Sequence, residues 1–321
     1  MKPILCSPGL QLRVAPCIAF AVVAALGLGA CLAGAAAKAQ DAAPPLSGVS
    51  GVELPTWLLG VWNREWIQKG KAQSNTFDVH YLQIPTYFAD VRIPRDRPRF
   101  SGAKSFADLT DQQLLMLAGQ DASTGRTTMA GMVATWQHNI EFQPPDGATD
   151  EGRLERIPPY RMYEHGLDGS YIESWRLLTN GQGRFLVIRV DHSGRLLRTL
   201  LVVGDQFVYV RNRAKDLPVA PSLDALIATT HATRQQIVQY LDCEFSVGRV
   251  RGGSVPWEID QSTLPWREGR RLEFVEQVRI DHGRLGPMPR EANQDQWSVP
   301  VNTLSPDEVK ALFAGESKPG G

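Results

Sequence analysis

Five ionisable residues sit where strand alternation places them among aromatic rings: Arg64 with Trp62 and Trp66, His138 with Trp136, Glu173 between Tyr171 and Trp175, and Asp90 with Arg92 two positions on. Residues two apart in a strand share a face, so each charged group is expected to point the same way as its aromatic neighbours. Guanidinium, carboxylate and imidazole groups set in apolar walls make up a small-molecule pocket, where a few polar groups fix the orientation of a mainly apolar ligand. Glu173 carries the sharpest chemistry. A carboxylate facing inward between Tyr171 and Trp175 either pairs with a cation, Arg92 or Arg64, or has its pKa raised and serves as a ligand anchor or general acid. His138 divides similarly, between a hydrogen-bonded core or rim histidine and a contact to ligand, metal or haem. Asp90 and Arg92 share a face opposite Val91 and Ile93 and are assigned inward because Glu173 needs a partner.

Other chemistries lack their signatures. His80, His165, His192, His231 and His282 occur singly, and there is no His-x-His, His-Glu-x-x-His or Cys-x-x-Cys spacing, so neither a metal nor a cofactor is expected. Asp146, Asp150, Glu151 and Glu155 lack calcium-loop spacing, and with Gly147 and Gly152 among them they read as a solvated loop. There is no Gly-x-Ser-x-Gly elbow or Walker loop, and the glycine-rich Arg249–Ser254 run lacks a strand-to-helix context. With 34 basic and 34 acidic residues the chain carries no net charge, which gives no electrostatic footprint for nucleic acid or anionic lipid.

The elements that must position these residues read as strands. Alternating runs are expected at 60–67, 75–83, 88–93, 131–142, 161–164 and 170–178, interrupted by one helix at 110–118 that Thr110 and Gln113 cap as a box. After Asn180-Gly181-Gln182-Gly183 a second series begins at 184–190, 195–203 and 206–211, joined by Ser193-Gly194 and Gly204-Asp205 turns. A short helix near 223–227, strands at 236–247, 255–261 and 271–280, and a helix capped at Ser305 complete the series. The fold class is therefore all-β with a few short helices: two antiparallel β-barrels in tandem, whose closure removes the unpaired edges.

Specific motifs support the first barrel. Gly60-Val61-Trp62 opens it, a triplet of which 29 glycines and 8 tryptophans in 321 residues produce about 0.7 by chance. Longer motifs accompany it: Tyr81-Leu82-Gln83-Ile84-Pro85-Thr86-x-Phe88-Ala89-Asp90-Val91-Arg92-Ile93-Pro94-x-x-Arg97-Pro98, then Trp136-x-x-x-Ile140-x-Phe142-Gln143-Pro144, Asp150-x-Gly152-x-Leu154 and Tyr171-x-Glu173-x-Trp175. Together they resemble a family of uncharacterised bacterial proteins with lipocalin-like barrels over most of Leu54 to Leu178. The layout is also similar to the fungal Hri family of tandem lipocalin-like barrels. The resemblance implies a calycin-type fold and a cavity, not an activity; Met129 stands where the bacterial pattern has an aromatic. It also implies structural roles for Gly60 and Trp62, with Arg64 or Arg92 stacked over the Trp62 indole to close the barrel.

Residues 1–39 read as a signal peptide, with Lys2 and Arg13 before the small and apolar run Ile18–Leu32 and with Ala37-Lys38-Ala39 before Gln40. Leu28-Gly29-Ala30-Cys31 offers the competing reading of a lipoprotein acylated at Cys31. Cys6, Cys17 and Cys31 lie in this leader, which leaves Cys243 alone, a buried apolar side chain with nothing local to activate it. The expected organisation is a linker at 40–53, the first lipocalin-like barrel at 54–180, a second at 181–285 and a C-terminal extension with a short helix at 286–321. These features describe a periplasmic protein, or alternatively a membrane-anchored lipoprotein, that holds a small, mainly apolar ligand in its first barrel. The site candidates are Arg64, Asp90, Arg92, Trp136, His138, Tyr171, Glu173 and Trp175. Two alternatives stand beside it: an acid–base enzyme of isomerase, hydratase or lyase type using the same cavity, and a structural or envelope-interaction protein with filled barrels.

Overall fold

The computed structural model describes residues 54–288 and 295–314. The signal peptide at 1–39, the linker at 40–53 and Cys31 lie outside the described residues. The chain runs through β1 (Gly60–Lys69), β2 (Ala72–Ser74), β3 (Phe77–Gln83), β4 (Tyr87–Pro94), α1 (Asp111–Ala118), β5 (Asp121–Ala130), β6 (Val133–Glu141), β7 (Asp150–Ile157), β8 (Arg161–Gly166) and β9 (Ile172–Thr179). It continues through β10 (Phe185–His192), β11 (Arg195–Val203), β12 (Gln206–Arg211), α2 (Leu223–Thr229), α3 (Arg234–Leu241), β13 (Glu244–Arg249), β14 (Glu258–Ser262), β15 (Val278–Asp281), β16 (Arg284–Pro287), β17 (Gln296–Asn302) and α4 (Pro306–Ala314). No helix among the described residues is long and apolar enough to cross a membrane.

Strands β1 and β3 to β9 form a closed eight-stranded antiparallel barrel, each paired with its neighbour in sequence and β9 returning to β1. Gly60 makes that return possible. Its φ of 145° and its position against β9 leave no room for a side chain, since a Cβ would lie 2.5 Å from the Thr179 carbonyl oxygen. The Trp62 indole then donates to the Leu58 carbonyl at 2.8 Å, folding the Thr56–Leu58 turn across that end of the barrel. Inside, Leu58, Trp62, Val79, Tyr81, Phe88, Trp136, Leu154, Met162 and Trp175 form one buried cluster. Side chains thus fill this end of the barrel.

The second half differs from expectation: it is not a barrel. Six antiparallel strands in the order β14-β13-β12-β11-β10-β17 form an open sheet, with β15 and β16 as a separate hairpin. The physical reason is that its strands are apolar on both faces. Leu186, Ile188, Leu200, Val202, Phe207 and Tyr209 bury one face against Trp257, Phe274 and α4. Phe185, Val187, Leu201, Val208, Val210 and Phe245 bury the other in a cluster shared with α1, α2, α3 and the outer face of β1, β3, β4 and β6, including Val61, Leu82, Val91 and Ile140. A strand buried on both faces needs a layer on each side, whereas a barrel wall has one face inward and one outward. The edge strand β17, from the 286–321 segment, pairs with β10 between Asp191↔Gln296 and Leu186↔Asn302.

Three local readings are corrected as well. The expected strand 236–247 is helix α3 followed by β13, because Thr233 and Gln236 form a reciprocal capping box and Ile237 and Leu241 bury one helical face. The expected strand 271–280 is a 3-10 turn, Glu273–Gln277, followed by β15. The acidic stretch from Asp150 to Glu155 is not a loop but strand β7, whose alternate residues Gly152 and Leu154 are buried.

Candidate ligand site in the barrel

Strand direction divides the barrel interior into two layers. Near the end plugged by Leu58, Tyr81 packs against Phe88, Trp136 and Trp175 with ring centroids 6.2, 6.5 and 5.7 Å apart. The polar tips of Tyr81 and Trp136 are satisfied within this layer, whereas Trp175 Nε1, on the side towards Glu173, is buried without a partner. Trp136 Nε1 donates to Tyr81 Oη at 3.0 Å, Tyr81 Oη donates to Gln83 Oε1, and Thr127 Oγ1 donates to the same oxygen at 2.9 Å. Burial, with no cation near enough to offset it, pushes the Tyr81 phenol well above its ordinary value, so it acts as a neutral hydrogen-bonding group.

The second layer is charged. Alternation on β1 carries the inward face from Trp62 to Arg64, on β4 from Phe88 to Asp90 and Arg92, and on β9 from Trp175 back to Glu173. Arg64 Nη1 donates to Glu173 Oε1, with side chains only 4 % and 2 % exposed. Arg92 donates to Asp90 through Nε at 2.7 Å and stands 3.8 Å from Glu173 Oε1, so one guanidinium spans two carboxylates. Burial of the Arg92 guanidinium is outweighed by Asp90 and Glu173, which raise its pKa further. Its side chain, 29 % exposed, is where this layer meets solvent.

Glu164 on β8 completes the layer, and the sequence reading missed it. It sits in register with Glu173 and accepts a hydrogen bond from Tyr171 Oη at 2.8 Å. Burial, and then the adjacent Glu173 carboxylate, push its pKa up to about 8. Its Oε1 and Cγ also fill the space over Gly152, where a Cβ would come within 2.9 Å of Cγ. The signal was available: Asp168-Gly169 marks a tight hairpin, and counting outward from it brings Glu164 opposite Glu173.

His138 lies at the rim. Gly125 stands between it and Phe88 in the sheet, and with no side chain there the two rings approach to 5.6 Å. Its Nδ1 contacts Glu141 at 2.7 Å and its Nε2 contacts Asp150 at 2.8 Å. Burial opposes the charge, but the two carboxylates win and raise the pKa to about 9. The ring is therefore a cation with both nitrogens engaged, which leaves neither free to ligate a metal or haem. Among the described residues no group of three or more His, Cys, Asp or Glu side chains is placed to hold a metal ion.

Two expected contacts do not form. Among the described residues no arginine stacks on Trp62; the arginines found there over aromatic rings are Arg126 and Arg189 at Tyr87, Arg198 at Phe274 and Trp297, and Arg213 at Phe142. Arg64 turns to Glu173 instead, because a buried ion pair outweighs a cation–π contact of about 1 kcal/mol. Trp66 leaves the Trp62–Arg64 face as well: a bulge between Arg64 and Trp66 shifts the phase, and its ring meets Tyr163 at 5.8 Å. The eight candidates are thus brought to one barrel, with Trp136 and Trp175 in the aromatic layer, Arg64, Asp90, Arg92, Tyr171 and Glu173 in the charged layer and His138 at the rim.

One feature of the charged layer points to a ligand. Arg64 Nε, Asp90 Oδ1, Glu173 Oε2 and Trp175 Nε1 are buried with no hydrogen-bond partner in the protein. They supply two donors and two acceptors from three strands that share one side of the barrel. No protein-family model, curated protein or solved structure matches the chain.

Proposed function

We propose that this chain is an exported, lipocalin-like binding protein whose barrel holds a small molecule with an apolar body and a polar end. The four unpartnered polar atoms in the charged layer carry this reading. Each buried polar group left without a partner costs about 1–3 kcal/mol, and a carboxylic acid or primary amide at that level, which both accepts and donates, satisfies donors and acceptors together. Arg92, in reach of solvent, receives the polar end; the rings of Tyr171 and Trp136 flank the body. Because the aromatic layer is already filled, the ligand occupies the charged half of the barrel rather than its full depth. Residues 1–39 act as the export signal, with Cys31 as the alternative point of attachment.

Native mass spectrometry of the protein isolated without denaturation from its own host tests this. A stoichiometric small-molecule adduct, lost on denaturation and weakened in Arg92→Gln, is the expected result. An unliganded mass in both proteins, together with no stabilisation of either by small carboxylic acids or amides in thermal unfolding, sinks the proposal. The denatured mass separates cleavage at Gln40 from acylation of Cys31.

A second reading is favoured by one observation, the Glu164 carboxyl held protonated up to about pH 8. Paired with the neighbouring Glu173 carboxylate, it forms the divided acid and base of a proton-transfer enzyme. In that case Glu164→Gln abolishes turnover of the isolated ligand while leaving its binding intact; a pure binder shows no turnover to lose.

A further inference from the structure

Away from the barrel interior, a cleft of about 620 Å3 opens between residues 95–104, which leave β4, and residues 260–270, which follow from β14. It lies where the barrel meets the open sheet. Its charges do not balance. The three carboxylates that line it are each paired: Asp78 with Arg95 at 2.7 Å, Asp260 with Arg249 at 2.7 Å, and Glu268 with Arg97. Arg99 and Arg270 line the same cleft, are exposed, and have no carboxylate partner among the described residues. Lys104 lies near Asp108, and no ion pair between them is formed. Three cations therefore face one recess, and none of them is ion-paired to a carboxylate among the described residues.

The floor is built rather than incidental. Arg97 is 5 % exposed. Its Nη1 donates to Gln120 Oε1 at 2.8 Å and to the Ser262 carbonyl at 2.6 Å, its Nη2 meets Glu268, and its Nε is buried with no partner. Phe100 pins the loop: its ring is buried in the shared core, which leaves Arg99 and Lys104 on the cleft side of the chain. Half-buried Trp266, held edge-on to Phe106 at 4.7 Å, forms one wall.

We propose that this cleft binds a small soluble phosphate-bearing anion of two or more negative charges, with Arg99, Lys104 and Arg270 around it and Arg97 as a buried donor beneath. Guanidinium groups match the planar pairs of oxygens on such an anion and bind them by charge-assisted hydrogen bonds. Three cations outside any ion pair exceed what a single carboxylate neutralises. The volume is that of a small-ligand site. This site is separate from the barrel layer, and its test does not depend on the barrel's ligand.

Isothermal titration of the full chain with inorganic pyrophosphate, at low and at high NaCl, is the experiment. Saturable one-to-one binding that weakens with salt is expected, as screening of a charged site requires. Arg99→Gln combined with Arg270→Gln is expected to weaken it at least about tenfold, equivalent to about 1.4 kcal/mol. Both side chains are exposed and unpaired, so the double variant keeps its fold, which an unchanged unfolding midpoint verifies. Arg153→Gln, on the outer face of β7, leaves the affinity as it was. Absence of saturable binding, equal binding by the double variant, or tighter binding of citrate than of pyrophosphate overturns the assignment.

Discussion

Glu164 and His138 hold their protons against different forces, and both make stability fall as pH rises. The Glu164 carboxyl moves from an ordinary 4.5 to about 8 on folding, so the folded chain keeps a proton that the unfolded chain has released. Stability is then greatest below 4.5 and declines through the interval up to about 8. His138 moves from 6.5 to about 9; its contribution is complete below 6.5 and is lost as pH passes through about 9. Urea unfolding midpoints are expected to fall from pH 6.5 to 9 in the native protein, while below 6.5 buried His80, whose pKa is lowered, acts in the opposite sense to Glu164. Glu164→Gln, which keeps the Tyr171 contact without the proton, should remove the falling part of the slope between 4.5 and 6.5. His138→Gln should flatten the part between 8 and 9. A variant that leaves the slope over its interval unchanged contradicts the assignment of that residue.

At the scale of the element, glycines decide where strands meet. Gly125 lies so close to β6 that a Cβ would stand 1.8 Å from the Gln137 carbonyl oxygen. Gly125→Ala must push β5 and β6 apart, and is expected to lower stability by more than about 2 kcal/mol, measured by chemical unfolding. Most of the first barrel was legible from alternation, as from Gly60 to Ile67 or from Phe88 to Ile93 with turn residues between, but β5 and β7, rich in Thr, Gly and charged residues, gave no such signal. The fold was also illegible where pattern and context part. Gln236 to Val247 alternates well enough for a strand, yet the Thr233–Gln236 box caps a helix first. Leu200-Leu201-Val202-Val203 and Phe207-Val208-Tyr209-Val210 are continuous apolar runs, and such runs signal two covered faces; the expectation of a second barrel passed over that cue. In the charged layer, Glu173 and Arg64 followed from alternation, and Asp90 and Arg92 only from the need of Glu173 for a partner; the bulge that expels Trp66 left no mark in the alternation, and Glu164 required counting register outward from the Asp168-Gly169 turn.

For the molecule as a whole, one buried arginine joins the barrel to the sheet through carbonyls alone. Arg213, 4 % exposed, donates from Nη1 to the Glu141 carbonyl at 2.7 Å, from Nη2 to the Phe142 carbonyl at 2.6 Å and from Nε to the Tyr240 carbonyl at 3.1 Å. Burial lowers its pKa. Arg213→Met strands three carbonyls at the junction of β6, β12 and α3, and a loss of about 3 kcal/mol or more is expected in urea unfolding. Ending the chain at Met288 removes β17 and α4, uncovers the β10 edge and opens the cluster around Leu186, Val309 and Leu312; insoluble protein, or a monomer that binds a hydrophobic dye, is the expected outcome. The seam at Gly60 has a kinetic counterpart. Because β1 pairs with β9, the first and last strands of the barrel must find each other across nearly its whole sequence, the slowest kind of contact to form. Until Thr179 has been synthesised and docked, β1 presents a bare edge beside Trp62, so the time to closure sets how long a newly made chain is open to joining its neighbours instead of itself.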